Sequence, residues 1–241
     1  MFKTTTLTTA FASLAFTGVA AASIIIAPVD TFGSNEKDNY GGNLGDLTNG
    51  SGMNDNPDTG GSMPSDINSW VATNSGYKAE WQTQDLLGDS EAGEDLPTNG
   101  KIAWAIIDLG SAQSLGELHL WHIRENNGRW ASDFNVYVAA SPTVAPSSGP
   151  TNNTSSDYDF ASGGWTTIAT GEAGSFRGKS IIALNDSVAQ YVGLEIIANN
   201  GDSQRTGFAE LAVTQGAPIP EPGSLALLGL GSLLIARRRR G

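Results

Sequence analysis

The sequence predicts an all-β chain folded as an antiparallel sandwich or barrel. Three observations predict it. From residue 101 onward, runs rich in β-branched and aromatic residues recur with turn signals between them. No amphipathic helical period separates those runs. One run alternates strictly, with Phe134, Val136 and Val138 apolar and Asn135 and Tyr137 between them. That period of two belongs to a strand buried on one face. Strands in succession, without helices between them, bury their apolar faces as packed antiparallel layers.

Strands are expected at 102–107, 118–123, 134–138, 165–169, 180–184, 191–197 and 208–213. The first reads Ile102-Ala103-Trp104-Ala105-Ile106-Ile107 and is closed by Asp108-Leu109-Gly110. A Pro/Ser/Asn-rich loop is expected over 141–162. The stretch 30–100 reads differently. It is rich in Gly, Asn, Asp and Ser, has no helical period, and carries the turn pairs Gly41-Gly42, Asn49-Gly50, Gly60-Gly61 and Asn99-Gly100. Trp70 and Trp81 interrupt it and are expected to anchor these loops on the core.

The two ends carry signals of their own. Lys3 is the only charge before Asp30. A short apolar core follows (Leu7, Ala10, Phe11, Leu14, Phe16 and Val19) and closes on Ala20, Ala21 and Ala22. A basic start, a short apolar run and a small-residue end make a secretory signal peptide over 1–22, cut by signal peptidase near Ala22. At the other end, Pro220, Glu221, Pro222 and Gly223 precede an apolar run over 224–236, then Arg237, Arg238, Arg239 and Arg240. A helix of that run would be roughly 20 Å long at about 1.5 Å per residue, short for a hydrocarbon core of about 30 Å. Snorkelling arginines and local thinning allow a transient membrane contact, with the arginines cytoplasmic. The body, residues 23–217, is then the β-sandwich domain, and 218–241 is a separate tail.

Composition narrows the function. Between residues 23 and 222 lie 8 basic and all 25 acidic residues, so the net charge there is 8 − 25 = −17. Such a surface repels nucleic acid and anionic lipid and attracts cations. There is no cysteine. Disulfides, thiolate metal sites and cysteine nucleophiles are therefore excluded, and stability must come from the core, alone or with a bound metal.

Pro220-Glu221-Pro222-Gly223, the run Leu225-Ala226-Leu227-Leu228-Gly229-Leu230 and the arginine cluster together resemble the PEP-CTERM sorting signal. The resemblance implies an exported protein of a Gram-negative bacterium that makes exopolysaccharide. It also implies recognition by an exosortase, followed by release or attachment at the cell surface or in the extracellular matrix. A second resemblance covers about residues 101–215. Trp104 with Ile107-Asp108-Leu109-Gly110, then Leu115 to Trp121, the pair Gly128-Arg129 before Asp133-Phe134-Asn135-Val136-Tyr137-Val138, and then Trp165 are its first part. Ala189-Gln190-Tyr191-Val192-Gly193-Leu194-Glu195-Ile196 and Phe208-Ala209-Glu210-Leu211-Ala212-Val213 complete it. Their order is similar to the discoidin, or coagulation factor type C, branch of the galactose-binding-like jelly rolls. In the first half of the chain the nearest match to that family's Leu-x-Asp-Gly-Asp turn is Leu47-Thr48-Asn49-Gly50-Ser51, with Asn for the first Asp.

That resemblance implies a structural calcium ion held at Asn49 and Glu210, with Asp46 as a nearby substitute; calcium takes six to eight oxygens. It also implies ligand binding by loops at one end of the sandwich. Arg124, Asn126, Asn127, Arg129 and Trp130 are the candidates. Arg and Asn fork hydrogen bonds to sugar hydroxyls or carboxylates, and an indole offers an apolar face to a sugar ring. In such proteins the Arg of the Gly-Arg pair often serves structure instead, pairing with a carboxylate such as Asp133. No catalytic residue is assigned. His119 and His122, three apart on a strand, point to opposite faces. Carboxylate pairs for glycoside hydrolysis need two carboxyls across a cleft, and 25 acidic residues supply many by chance. The expected function is non-catalytic binding of carbohydrate or another surface polymer. A structural matrix component without a specific ligand and a carboxylate-dependent glycoside hydrolase are the alternatives.

Overall fold

A computed structural model describes residues 24–34, 44–50, 53, 67–72, 80–83, 103–147, 158–202 and 205–217. The signal-peptide segment and the sorting tail lie outside the described residues. Among the described residues no helix is long and apolar enough to cross a membrane.

The strands are β1 (Ile25–Ile26), β2 (Asp30–Gly33), β3 (Trp81–Gln82), β4 (Ala103–His122), β5 (Ala131–Ala139), β6 (Thr166–Glu172), β7 (Lys179–Asn199) and β8 (Gly207–Gln215). All pairings between them are antiparallel. β4 and β7 are far longer than the runs expected from sequence, at 20 and 21 residues. They pair from Ala103 with Ile196 to Trp121 with Lys179, with register shifts between Asp108 and Gln113 and between Leu115 and Glu117. Four expected strands are therefore two bent ones. The breakers that suggested turns sit at the bend and tolerate it: Gly110 has φ +79°, Asn185 +55° and Asp186 +54°. Asn and Asp accept this left-handed region more readily than other side-chain-bearing residues.

The bent ribbon belongs to two sheets. One sheet holds β2, the first half of β4, the second half of β7, β5 and β6. The other holds the first half of β7, the second half of β4, and β8, whose far edge pairs with β1 at one end and β3 at the other. One apolar cluster fills the space between them. It takes Ala103, Ala105 and Ile107, Phe134, Val136 and Val138, and Val192, Leu194 and Ile196 from the first sheet. Leu118, Leu120, Ile182, Leu184, Phe208, Leu211 and Val213 come from the second. Phe134 and Phe208 meet edge to face across the core at 5.5 Å, and Trp81 stacks on Phe208 at 6.4 Å. The two-layer antiparallel sandwich is thus the expected class.

Both outer faces are also covered. On the first sheet Trp104, Ile106, Tyr137 and Tyr191 receive Tyr158, Phe160 and Trp165 from the β5–β6 connection. Phe160 stacks flat on Tyr137 at 4.4 Å and seats on Gly193, where a Cβ would strike its ring. On the second sheet, Met53, Ile67, Trp70 and Ala72 cover Trp121, Ala209 and Ala212. The tryptophans of the Gly/Asn-rich stretch do anchor it, on different sides: Trp70 lies against Trp121 outside the sandwich, and Trp81 lies inside.

Because Phe208 joins the two sheets and Trp81, its loss opens a cavity that the surrounding strands cannot close. Phe208→Ala should cost about 3–5 kcal/mol, read as a lowered midpoint in urea unfolding without loss of far-UV strand signal at zero denaturant.

Candidate functional site

The ribbon bend sets two distinct ends. The bend, the start of β1, the end of β8 and residues 139–143 with 163–166 lie at one end. At the other, three connections come together: residues 123–130 between β4 and β5, 173–178 between β6 and β7, and 200–202 with 205–206 between β7 and β8. Hydrogen bonds tie them. The Arg177 amide donates to the Ile123 carbonyl at 3.2 Å, and the Asp202 amide donates to the Gly128 carbonyl at 3.1 Å. Asn200 Nδ2 donates to the Asn127 carbonyl at 2.8 Å.

Arg129 is the tie-rod of this end. Its Nε donates to Asp202 at 2.9 Å, and its Nη1 donates to Glu125 at 2.9 Å and to Gln82 at 3.1 Å. These carboxylates, not Asp133, are its partners; Asp133 is on β5, and its buried Oδ1 has no hydrogen-bond partner. Asn126 Oδ1 accepts from the Gly128 amide at 2.7 Å and shapes its own turn. Trp130 is partly buried, its backbone bridges to Gly207, and its indole Nε1 is turned inward without a partner. Of the five expected ligand residues, Arg129, Asn126 and Trp130 are therefore engaged in building the loop. Arg124 and Asn127 have side chains to offer, and the loops bring Arg177, Arg205 and Asn200 beside them. Reading one loop in isolation missed those three. Their distribution was visible, because each falls in a gap between strand runs, but which gaps share an end depends on the ribbon bend.

Beneath this end lies Glu80, fully buried. Its carboxyl accepts from the amides of Arg124 at 2.7 Å and Glu125 at 3.4 Å. Burial pushes it up to about 7, against the pull of those two amides. Both oxygens face backbone, so this carboxyl supports the loop and presents nothing to a substrate.

The expected calcium residues do come together. The Gly50 amide donates to Glu210 Oε2 at 2.9 Å, and Asn49 Nδ2 donates to Asp46 Oδ1 at 3.1 Å. Glu210 is fully buried, and its Oε1 has no hydrogen-bond partner. Burial drives its carboxyl well above the usual range, and the charge of Asp46 adds to the rise. A buried carboxylate oxygen without a hydrogen-bond partner is a group whose desolvation is left uncompensated. Among the described residues no three His, Cys, Asp or Glu side chains converge, so further ligands to a calcium ion here would be carbonyls or water.

The histidines face opposite sides, as expected. His119 stacks on Trp121 at 6.2 Å, and its Nε2 lies 3.0 Å from Glu117. His122 lies in the core against Phe134 and Phe208, its Nε2 2.9 Å from Ser180 Oγ. Burial pushes His122 down to about 4. A serine–histidine contact needs a third group to orient the ring and open space at the hydroxyl; here Nδ1 has no partner and the ring is clamped by phenylalanines. Both histidines are packing residues.

The family model described as the PEP-CTERM protein-sorting motif matches residues 218–240. No curated protein matches the chain. Similar solved structures include chitosan-binding module 1 of a chitosanase/glucanase from Paenibacillus sp. IK-5, at 13% identity and TM-score 0.42 over 80% of this chain and 98% of that one. The family 32 carbohydrate-binding module of C. perfringens NanJ in complex with galactose is 13% identical, with TM-score 0.45 over 80% and 99%. A Streptococcus pneumoniae fucose-binding module is 15% identical, with TM-score 0.44 over 80% and 96%. These likenesses are too distant to bear on the site.

The buried carboxyl of Glu210 makes stability depend on pH. Its folded pKa is raised, so the unfolded chain gives up the proton first as pH rises. Its contribution is fully present below the unfolded value near 4.5 and is lost as pH climbs toward the folded value. In chelator, Tm should fall between pH 4 and pH 8, and Glu210→Gln, which mimics the protonated acid, should flatten that fall in calorimetric melts.

Proposed function

We propose that this chain is an exported, non-catalytic carbohydrate-binding protein of the cell surface or extracellular matrix, sorted by its tail and binding exopolysaccharide through the loop end of the sandwich. The tail supports the location. A PEP-CTERM motif marks an exported, surface-associated protein of Gram-negative bacteria and implies processing by an exosortase. The observation that carries the binding role is the rigid loop end. Arg129 and Glu80 fix the β4–β5 connection against Asp202 and β3, the Arg177 amide ties residue 177 to Ile123, and Arg124, Arg177, Arg205, Asn127 and Asn200 stand on that base. Guanidinium and amide groups match the paired hydroxyls and carboxylates of sugars, and a preformed base lowers the ordering cost of binding. The acid and histidine groups with perturbed pKa values support packing or backbone rather than chemistry, which favours binding over hydrolysis.

A structural calcium ion is part of the same reading. Glu210 Oε1 and the Asp46 carboxylate would hold it, with the Asn49 side-chain oxygen near enough in sequence to join. Its chemistry there would be charge neutralisation of two buried acids in a protein without disulfides. It would tie residues 46–50 to β8 and so fix the cover of the second sheet.

Two measurements test this reading. On an array of bacterial and plant polysaccharides the full chain should retain at least one glycan class, and retention should vanish on heat unfolding; retention of none leaves the structural matrix component standing instead. In melts at pH 8, calcium should raise Tm by several degrees over chelator, where each 1 kcal/mol shifts Tm by about 2–4 °C. The rise should be absent in Glu210→Gln; an equal rise in that variant removes the ion from this position.

A further inference from the structure

All four arginines between residues 23 and 217 lie at one end of the sandwich. Arg124 follows β4. Arg177 precedes β7, and its Nε donates to the Arg124 carbonyl at 3.3 Å. Arg205 lies before β8, its amide donating to Asp202 Oδ1 at 2.9 Å, and the other oxygen of Asp202 accepts from Arg129. The sequence spreads these residues over 82 positions (205 − 124 + 1); the fold gathers them onto one rim.

Among the described residues few of them pair with the protein's own acids. Residues 23–222 carry net charge −17, so carboxylates are abundant. Yet among the described residues Arg129 is the one of these arginines that forms ion pairs, with Glu125 and Asp202. Arg124, Arg177 and Arg205 have no carboxylate partner among the described residues. The Nε atoms of Arg124 and Arg205 are buried without any hydrogen-bond partner, and the Arg177 guanidinium lies over the Phe176 ring at 4.8 Å. Among the described residues the rim's acids include Glu80, Glu125 and Asp202, with Asp133 and Glu172 on the adjoining strand ends. Glu80 is turned onto backbone amides, and Glu125 and Asp202 are held by Arg129. Arg177 is exposed and Arg124 and Arg205 are half-buried, and none of the three pairs with a carboxylate among the described residues, on a body whose net negative charge repels anions.

The rim also has a direction. β8 starts at the rim with Gly207 and ends at Gln215; its nine residues span roughly 30 Å at about 3.4 Å each. At the far end the Gln215 amide donates to the Ile24 carbonyl at 2.7 Å, and the Ala217 amide donates to Asp186 at 2.8 Å. The sorting motif begins at residue 218. A molecule held by its tail thus carries the arginine rim at its opposite pole.

We propose that this rim binds an acidic polysaccharide, one bearing uronate or sulfate groups, with Arg124, Arg177 and Arg205 as the anion-binding residues and Asn127 and Asn200 beside them for ring hydroxyls. The proposal rests on the carbohydrate-binding reading and narrows it to anionic polymers. Guanidinium forks match planar carboxylates and sulfates in a way that a lysine ammonium does not. Spacing over three separate loops favours a chain of repeated charges over a single small anion.

Affinity electrophoresis of the full chain tests it, in gels containing polygalacturonate, dextran sulfate, neutral dextran or neutral galactan. The expected result is retardation by the acidic polymers that weakens with added salt. The triple variant Arg124→Gln, Arg177→Gln, Arg205→Gln should bind them roughly tenfold or more weakly while melting within a few degrees of the parent. If the triple variant fails to fold, the single Arg177→Gln, on an exposed turn, carries the same comparison with a smaller loss. Retardation by neutral polymers alone, or acidic binding unchanged in the variants, overturns the proposal and leaves carbohydrate binding intact. Retardation by no polymer overturns both. Displacement of polygalacturonate by equimolar inorganic sulfate as effective as that by the polymer itself would reduce the rim to a simple anion site and also overturn the proposal.

Discussion

Everything in this molecule depends on the pairing of β4 with β7. The two strands pair on both sides of the bend, with the register shifting between Asp108 and Gln113, so one pair of strands supplies the middle of both sheets. The bend is held by side chains suited to it. The Asp108 carboxylate accepts from the Gly110 amide at 2.7 Å and from Gln190 Nε2 at 2.9 Å. Once the ribbon has folded over, the inner faces of its two halves confront each other, and Phe134 and Phe208 close the core between them.

The same geometry forces polar groups inside. β8 is buried along nearly its whole length because β4 flanks it on one edge, β1 and β3 flank the other, and both of its faces are covered. Glu210, in its middle, therefore has no route to solvent and leans on the Gly50 amide. Glu80 is enclosed in the same manner next to β3 and holds the start of the β4–β5 loop. Buried carboxyls placed this way fix neighbouring loops in one arrangement, at a cost in desolvation that backbone amides only partly offset. They act as anchors for loops that have little apolar surface of their own.

The loop end shows how rigidity and binding capacity divide among similar side chains. Arg129 shares its donors among Glu125, Asp202 and Gln82 and is committed to structure. Arg124, Arg177 and Arg205 are of the same chemistry but lack a carboxylate, and so remain available. Sequence reading ranked Arg124, Asn126, Asn127, Arg129 and Trp130 together, because nothing local distinguishes an arginine that holds a loop from one that serves a ligand. The distinction comes from Asp202, 73 residues away from Arg129.

The amino-acid sequence by itself determined the strand content, the buried face of β5, the opposed histidines, the absence of thiol chemistry and the sorting motif at residues 218–240. These follow from local periodicity and residue chemistry, which need no knowledge of distant partners. Tertiary structure alone decided that four apparent strands are two bent ones, because Gly110, Asn185 and Asp186 read locally as breakers and only long-range pairing holds the chain through them. It alone placed Trp70 outside the sandwich and Trp81 inside. It alone decided that Arg124, Arg177 and Arg205 share a rim, since which loops share an end of a sandwich is a property of strand direction after the ribbon has bent.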